Sequence, residues 1–118
     1  MVTVDDVRAV LVGLPRSDEV VVRGRLKYRV GQIVYVAFSR DQTILEFAFP
    51  KTWRNVLVEA RPDTFVMPRE SDLRFDWIGA RMDVLEVDEM RDLVLDAWRM
   101  VVPKRVAADY DARLTGGP

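Results

Sequence analysis

The stretch Arg23-Gly24-Arg25-Leu26-Lys27-Tyr28-Arg29-Val30-Gly31 decides how the chain is read. Charged and apolar side chains alternate through it with a period of two, the pattern of a strand with one dry face and one wet face. Leu26, Tyr28 and Val30 fall on the dry face. Arg25, Lys27 and Arg29 fall on the wet face, with Arg23 just before them. A strand that aligns like charges calls for anions nearby, either carboxylates of the same protein or a partner outside it.

Working outward, Gly31-Gln32 is a tight-turn signal. The apolar run Ile33 to Phe38 predicts a central second strand. Residues 39–42 turn the chain, and Thr43 to Phe49 predicts a third strand with Leu45, Phe47 and Phe49 on one face. On the other side, residues 16–19 read as a polar link, and Val20 to Val22 leads into the first strand, broken at Gly24. The expectation is a meander of three antiparallel strands.

Thr3 followed by Asp6 predicts a capped helix with Val4, Val7, Leu11 and Leu14 at helical spacing, ended by Gly13 and Pro15. After Pro50 a second helical stripe carries Trp53, Val56, Leu57 and Ala60, and Pro62 closes it. Residues 65–68 read as a short extended piece and 69–72 as a charged loop. Phe75 to Met82 reads as a last strand with Trp77 and Ile78 on opposite faces. Asp88 is expected to cap the longest helix, whose buried stripe is Met90, Leu93, Val94, Ala97, Trp98 and Val101. Pro103 kinks or breaks it, and Val106 and Tyr110 continue on one face. The predicted order is α-β-β-β-α-β-β-α. The fold class is α+β, a two-layer sandwich in which a twisted antiparallel sheet carries its helices on one face. Residues 1–114 are expected to form a single domain, with 115–118 a flexible tail.

With 118 residues, 49% apolar and 31% charged, the composition is that of a soluble globular domain able to bury one core. The net charge of −1 gives no global pull toward nucleic acid, so any basic site must be a local patch. Fifteen of the 18 basic residues are Arg, and Val is frequent. That bias reads as a GC-rich genome, not as a binding signal. The chain has no Cys and no His, which excludes disulfides and thiolate metal sites. The commonest general base and the commonest metal ligand go with them. The N-terminus lacks the basic and apolar regions of a signal peptide, and no apolar stretch is long enough for a membrane span, so a cytoplasmic protein is expected.

Four segments taken together point to a family. They are Leu14-Pro15, Tyr28-Arg29-Val30-Gly31, Asp76-Trp77-Ile78, and Asp96-Ala97-Trp98 with Pro103-Lys104-Arg105. In their order and spacing, over roughly residues 3–112, the chain resembles the MmcQ/YjbR family. The resemblance implies a CyaY/frataxin-like fold, a twisted sheet with helices on one side, and it carries the family's DNA-binding label. The chain departs from the family pattern at Gly31-Gln32, where a Gly-Gly-Lys-like turn is typical. It also lacks the acidic first helix that frataxins use for iron, having only Asp5 and Asp6, so the resemblance implies no iron site.

The expected site follows from the basic strand. With helices on the Leu26 face, Arg25, Lys27 and Arg29 stand on the open sheet face together with Arg23. Strict alternation along the second strand puts Tyr35 there too, and Trp77 and Arg81 join from the last strand. Cations interleaved with rings suit phosphates and bases, so this set is the expected nucleic-acid surface. The competing reading is a face closed by its own cross-strand ion pairs, to Glu46 or Asp83. Trp53 and Trp98 sit on apolar helical stripes and are expected in the core. Lys104, Arg105 and Arg99 read as a solvated helix surface. Glu86, Asp88, Glu89, Asp92 and Asp96 read as favourable charge at a helix start and not as a metal site. No metal and no cofactor are expected. Nor is catalysis: there is no phosphate-binding loop, and Ser17, Ser39 and Ser71 have no His to activate them. The expectation is a monomeric, non-enzymatic domain that binds nucleic acid weakly and without sequence preference through the open face. The alternatives are a protein-interaction module using that face and a small-molecule pocket between sheet and helices.

Overall fold

The computed structural model describes residues 1–115. The chain runs α1 (Val4–Leu11), β1 (Ser17–Val22), β2 (Arg25–Val30), β3 (Ile33–Phe38), β4 (Ile44–Ala48), α2 (Lys51–Ala60), β5 (Phe65–Val66), β6 (Trp77–Arg81), α3 (Val87–Val101) and α4 (Lys104–Thr115). A 3-10 turn, Glu70–Asp72, precedes β6. The six strands form one antiparallel sheet in the order β1-β2-β3-β4-β6-β5. The fold is α+β, as the patterning predicts.

Three boundaries differ from the sequence reading. Residues 17–19 are not a link but half of β1, a complete six-residue edge strand, so the meander has four strands. Its hairpin to β2 turns on Arg23 and Gly24, both at positive φ (54° and 78°), which is what a two-residue type I′ turn demands. Helix α3 is capped at Glu86 without a side-chain bond, and Asp88 lies in the first turn, where it pairs with Arg91 at 3.0 Å. Helix α4 runs to Thr115, one residue past the expected domain end, and residues 116–118 of the expected tail lie outside the described residues.

Helix α1 starts on a reciprocal cap. The Asp6 amide donates to Thr3 Oγ1 at 3.1 Å, and the Thr3 amide donates to Asp6 Oδ2 at 2.9 Å. Its buried Val7 and Leu11 turn toward α3, and α3 lies across β3 and β4. Met90, Val94, Ala97 and Trp98 of α3 are fully buried against Leu45, Phe47 and Ile78 of the sheet core. Trp98 Nε1 donates to the Pro15 carbonyl at 2.9 Å, and its ring meets Tyr110 of α4 edge-on, 5.1 Å between centroids. The chain leaves the helix at Val102, which is extended before Pro103, and α4 then touches α3 through Tyr110 on Trp98 and an Arg99–Asp111 hydrogen bond of 2.8 Å.

Trp53 is not in the core. It is 64% exposed, because α2 lies beside β5 and β6 at the margin of the sheet. The buried residue of α2 is Arg54, 6% exposed. Its guanidinium donates to the carbonyls of Leu73 (2.8 Å), Phe75 (3.0 Å) and Trp77 (3.0 Å), filling the space with polar bonds instead of an apolar ring. Among the described residues no helix is long and apolar enough to cross a membrane.

The β1 edge is tied to α1 by a carboxylate. Arg8 Nε donates to Glu19 Oε1 at 2.8 Å, and the Tyr28 hydroxyl donates to the same oxygen. These bonds, Arg8 first, hold the Glu19 carboxyl below its ordinary value of 4.5. A carboxyl lowered by folding stabilises fully above its ordinary value, and that contribution fades as acid protonates the folded form. Glu19→Gln should therefore melt lower than the parent at neutral pH, and the gap should close as pH falls below 4.5. A constant gap from pH 7 to pH 3 in thermal melts would contradict the assignment. Separately, Trp98→Ala should cost on the order of 3–5 kcal/mol in denaturant unfolding, the range for emptying a buried aromatic site.

Candidate functional site

Cross-strand partners share a face, so the register defines the uncovered side of the sheet. From β1 to β5 it carries Asp18, Val20 and Val22; Arg25, Lys27 and Arg29; Val34 and Ala37; Ile44, Glu46 and Ala48; Trp77, Gly79 and Arg81; and Val66. The basic row of β2 thus stands where its alternation places it.

Tyr35 does not join that row. Tyr28 faces Val36 while Arg29 faces Val34, so Tyr35 is the extra residue of a β-bulge. The bulge swings its ring to the helix side, where it is 0% exposed and its hydroxyl bonds Ser17 Oγ. Burial pushes its hydroxyl up to about 12, so it stays a neutral phenol. Strict alternation, which assumes an unbroken pleat, misplaces it.

The centre of the open face is Glu46. Arg25, one strand beyond β3, donates to Glu46 Oε1 and, through Nε, to the Phe38 carbonyl at 3.0 Å. From the other side, Trp77 Nε1 donates to Glu46 Oε2 at 3.3 Å. Both side chains of the ion pair are mostly buried, 21% and 16% exposed. Arg25 is therefore a paired structural cation, in line with the cross-strand pairing to Glu46 weighed from sequence. Lys27 has no ion pair among the described residues. Arg29, opposite Asp18, makes none either, and its Nε is buried without a hydrogen-bond partner.

The Arg25–Glu46 pair forms a ridge between two hollows. The first, about 730 Å³, is lined by Arg23, Arg25, Lys27, Arg40 and Arg69, with Glu46 as its one carboxylate among the described residues. Arg23, Arg40 and Arg69 are exposed, and Arg69 has a loose 3.7 Å contact to Asp72. The second, about 480 Å³, is an apolar groove with Ala37 and Ala48 as floor and Trp77, Phe75, Ile33 and Met100 around it. Its acids are Glu46, Asp72 and Asp76, and Lys27 lies on its shared wall with the basic hollow.

The seven residues expected from sequence thus separate. Arg23, Arg25 and Lys27 line the basic hollow, and Trp77 lines the groove, its N–H committed to Glu46. Arg29 and Arg81 share the face but line neither hollow, and Tyr35 is in the core. Arg40 and Arg69 were missed. They come from the β3–β4 turn and the segment after β5, where periodicity carries no signal. Among the described residues no group of three or more acidic side chains is placed to hold a metal ion.

The sequence matches no family model and no curated protein. Among solved structures, the Deinococcus radiodurans protein DR2400, a DUF419 domain, has the same fold. The TM-score is 0.76 at 21% identity, covering 100% of this chain and 91% of that one. DUF419 is the domain family also called MmcQ/YjbR. At this identity the likeness shows the fold.

Arg54 supports this site from below, because the carbonyls it binds belong to the segment that presents Phe75 and Trp77. Arg54→Lys keeps the charge but loses the planar fork that serves all three acceptors. It should cost on the order of 2–3 kcal/mol through buried carbonyls left unpaired. Amide exchange in 73–77 should rise selectively, and unchanged exchange there would refute the role.

Proposed function

We propose that the chain is an MmcQ/YjbR-type domain, a cytoplasmic, monomeric, non-enzymatic protein whose open sheet face binds nucleic acid through its phosphates. One observation carries the reading. Five cations face a single hollow in a chain of net charge −1, and the one carboxylate lining that hollow is already paired with Arg25. Excess positive charge gathered in a concavity attracts a polyanion more than the same charges scattered over a surface. The fold shared with a DUF419 domain supports the family part of this reading. The cations differ in part from the row expected at first: Arg25 is committed to Glu46, and Arg40 and Arg69 take the place of Arg29 and Arg81.

A second reading, a protein-interaction face, is favoured by the exposed Ile33, Phe75 and Met100 around the groove. Salt separates the two. If Arg23, Lys27, Arg40 and Arg69 each neutralise a phosphate, the log–log salt slope of binding should be roughly −3.6 on duplex DNA and −2.8 on a single strand. Changing Arg23, Arg40 and Arg69 together to Gln should flatten it by about two to three units with the melting temperature held, since exposed polar swaps cost little. Absence of salt-sensitive binding to any nucleic acid at low ionic strength would leave the protein-interaction reading in possession of the face.

A further inference from the structure

The nucleic-acid reading leaves the apolar groove beside the basic hollow without a use. The two are not independent, since Arg25, Lys27 and Glu46 line both. Their chemistry is segregated. One side offers cations. The other offers rings over a floor of small side chains, with Asp72 and Asp76 beside them. Those two acids repel phosphate, so a polyanion crossing this face keeps its charged groups in the first hollow and turns something uncharged into the second.

Resting on the proposed nucleic-acid function, we infer that the ligand is a single strand, with its phosphates in the Arg23–Arg40–Arg69 hollow and an unpaired base stacked in the groove on Trp77 and Phe75. Trp77 is what excludes a duplex. Its ring is half-buried in a concavity, and its N–H is tied to Glu46, so it does not project as a wedge. A base must come to it, and in a duplex the bases are stacked inside. The groove's volume of about 480 Å³ is within the range of small-ligand clefts. Phe75 is half exposed on its rim, with the Arg74 guanidinium 4.7 Å from the ring centroid. Basic side chains tracking a backbone beside rings that stack bases form the usual platform for single strands. Lys27 on β2 and Trp77 on β6 stand three interstrand spacings apart, about 14 Å, so the ligand is an oligomer and not one nucleotide.

The test uses the full chain carrying Trp53→Phe, which leaves Trp77 as the reporter at the surface, since Trp98 is buried. Four probes of equal length are titrated at low salt: a mixed-sequence single strand, its duplex, an abasic strand with the same phosphates, and inorganic polyphosphate. The single strand should quench Trp77 and bind on the order of tenfold tighter than the abasic strand and the duplex. Phe75→Ala should abolish that margin while abasic-strand binding and the melting temperature stay as in the parent. A Trp77→Phe variant, followed by anisotropy, should retain most of the margin, because a ring remains. Equal affinity for base-bearing and abasic strands, or preference for the duplex, overturns the inference and leaves the phosphate reading standing. Failure of all four probes removes both.

Discussion

Trp98 is where the layers are joined. Its ring is sealed beneath α3, its N–H ends on the Pro15 carbonyl just after α1, and Tyr110 of α4 closes over it. A buried indole N–H requires an acceptor, so this bond fixes α1 against α3 in a way that apolar contact alone does not. With α1 and α3 set on one side of the sheet, the register of β2 follows: Leu26 and Tyr28 must turn to them, and Arg25, Lys27 and Arg29 must turn away. Slippage of one residue would bury three cations. The open face is thus a consequence of the helical layer, and its charge follows from the alternation in β2.

On that face Glu46 does for polar groups what Trp98 does for the core. Lying on β4, it draws Arg25 across β3 and the Trp77 indole from β6. An ion pair this sheltered costs desolvation and is weak evidence for stability. Its structural effect is orientation. It takes Arg25 out of the set of free cations and holds the Trp77 ring at the groove wall, which is why the face divides into one basic hollow and one apolar groove.

What was legible in the chain is what period and capping report. The alternation of β2, the buried Leu45 and Phe47 of β4, the opposite faces of Trp77 and Ile78, and the Met90–Val94–Ala97–Trp98 stripe all stand as read. Three misreadings share a cause, the local rule meeting a non-local arrangement. Ser17, Asp18 and Glu19 look like a link because a strand at a sheet edge has no need of apolar side chains there. Tyr35 is displaced by a bulge that shows only in the pairing with β2. Trp53 lies on an apolar stripe, but its helix has only the sheet margin to pack on, and Arg54 meets loop carbonyls that no helical pattern reveals. Arg40 and Arg69, brought together from separate connections, had no sequence signal at all.

The hollows themselves follow from side-chain volume. A sheet face bearing full-sized residues at every outward position is flat, and this one has Ala37, Ala48 and Gly79 on its central strands. The three do not act alike. At Gly79 the missing side chain is needed by the fold: a Cβ would come within 2.7 Å of Val66 Cγ2 and 3.2 Å of Ile44 Cγ2, so the gap is already filled by neighbours. That close approach is what lets the two-residue β5 pair with β6. Ala37 and Ala48 instead floor an open groove, next to Glu46 and Trp77 respectively in the pairing register. At Ala37 the fold again supplies a reason: the residue is 2% exposed and neighbours Glu46 in the register, where the Arg25 side chain crosses β3 to reach that carboxylate, and a larger side chain would stand in its way. Gly79 and Ala37 are thus small because neighbouring side chains pass close over them, and Ala48, opposite Trp77 on β6, is the small residue that leaves the groove its depth.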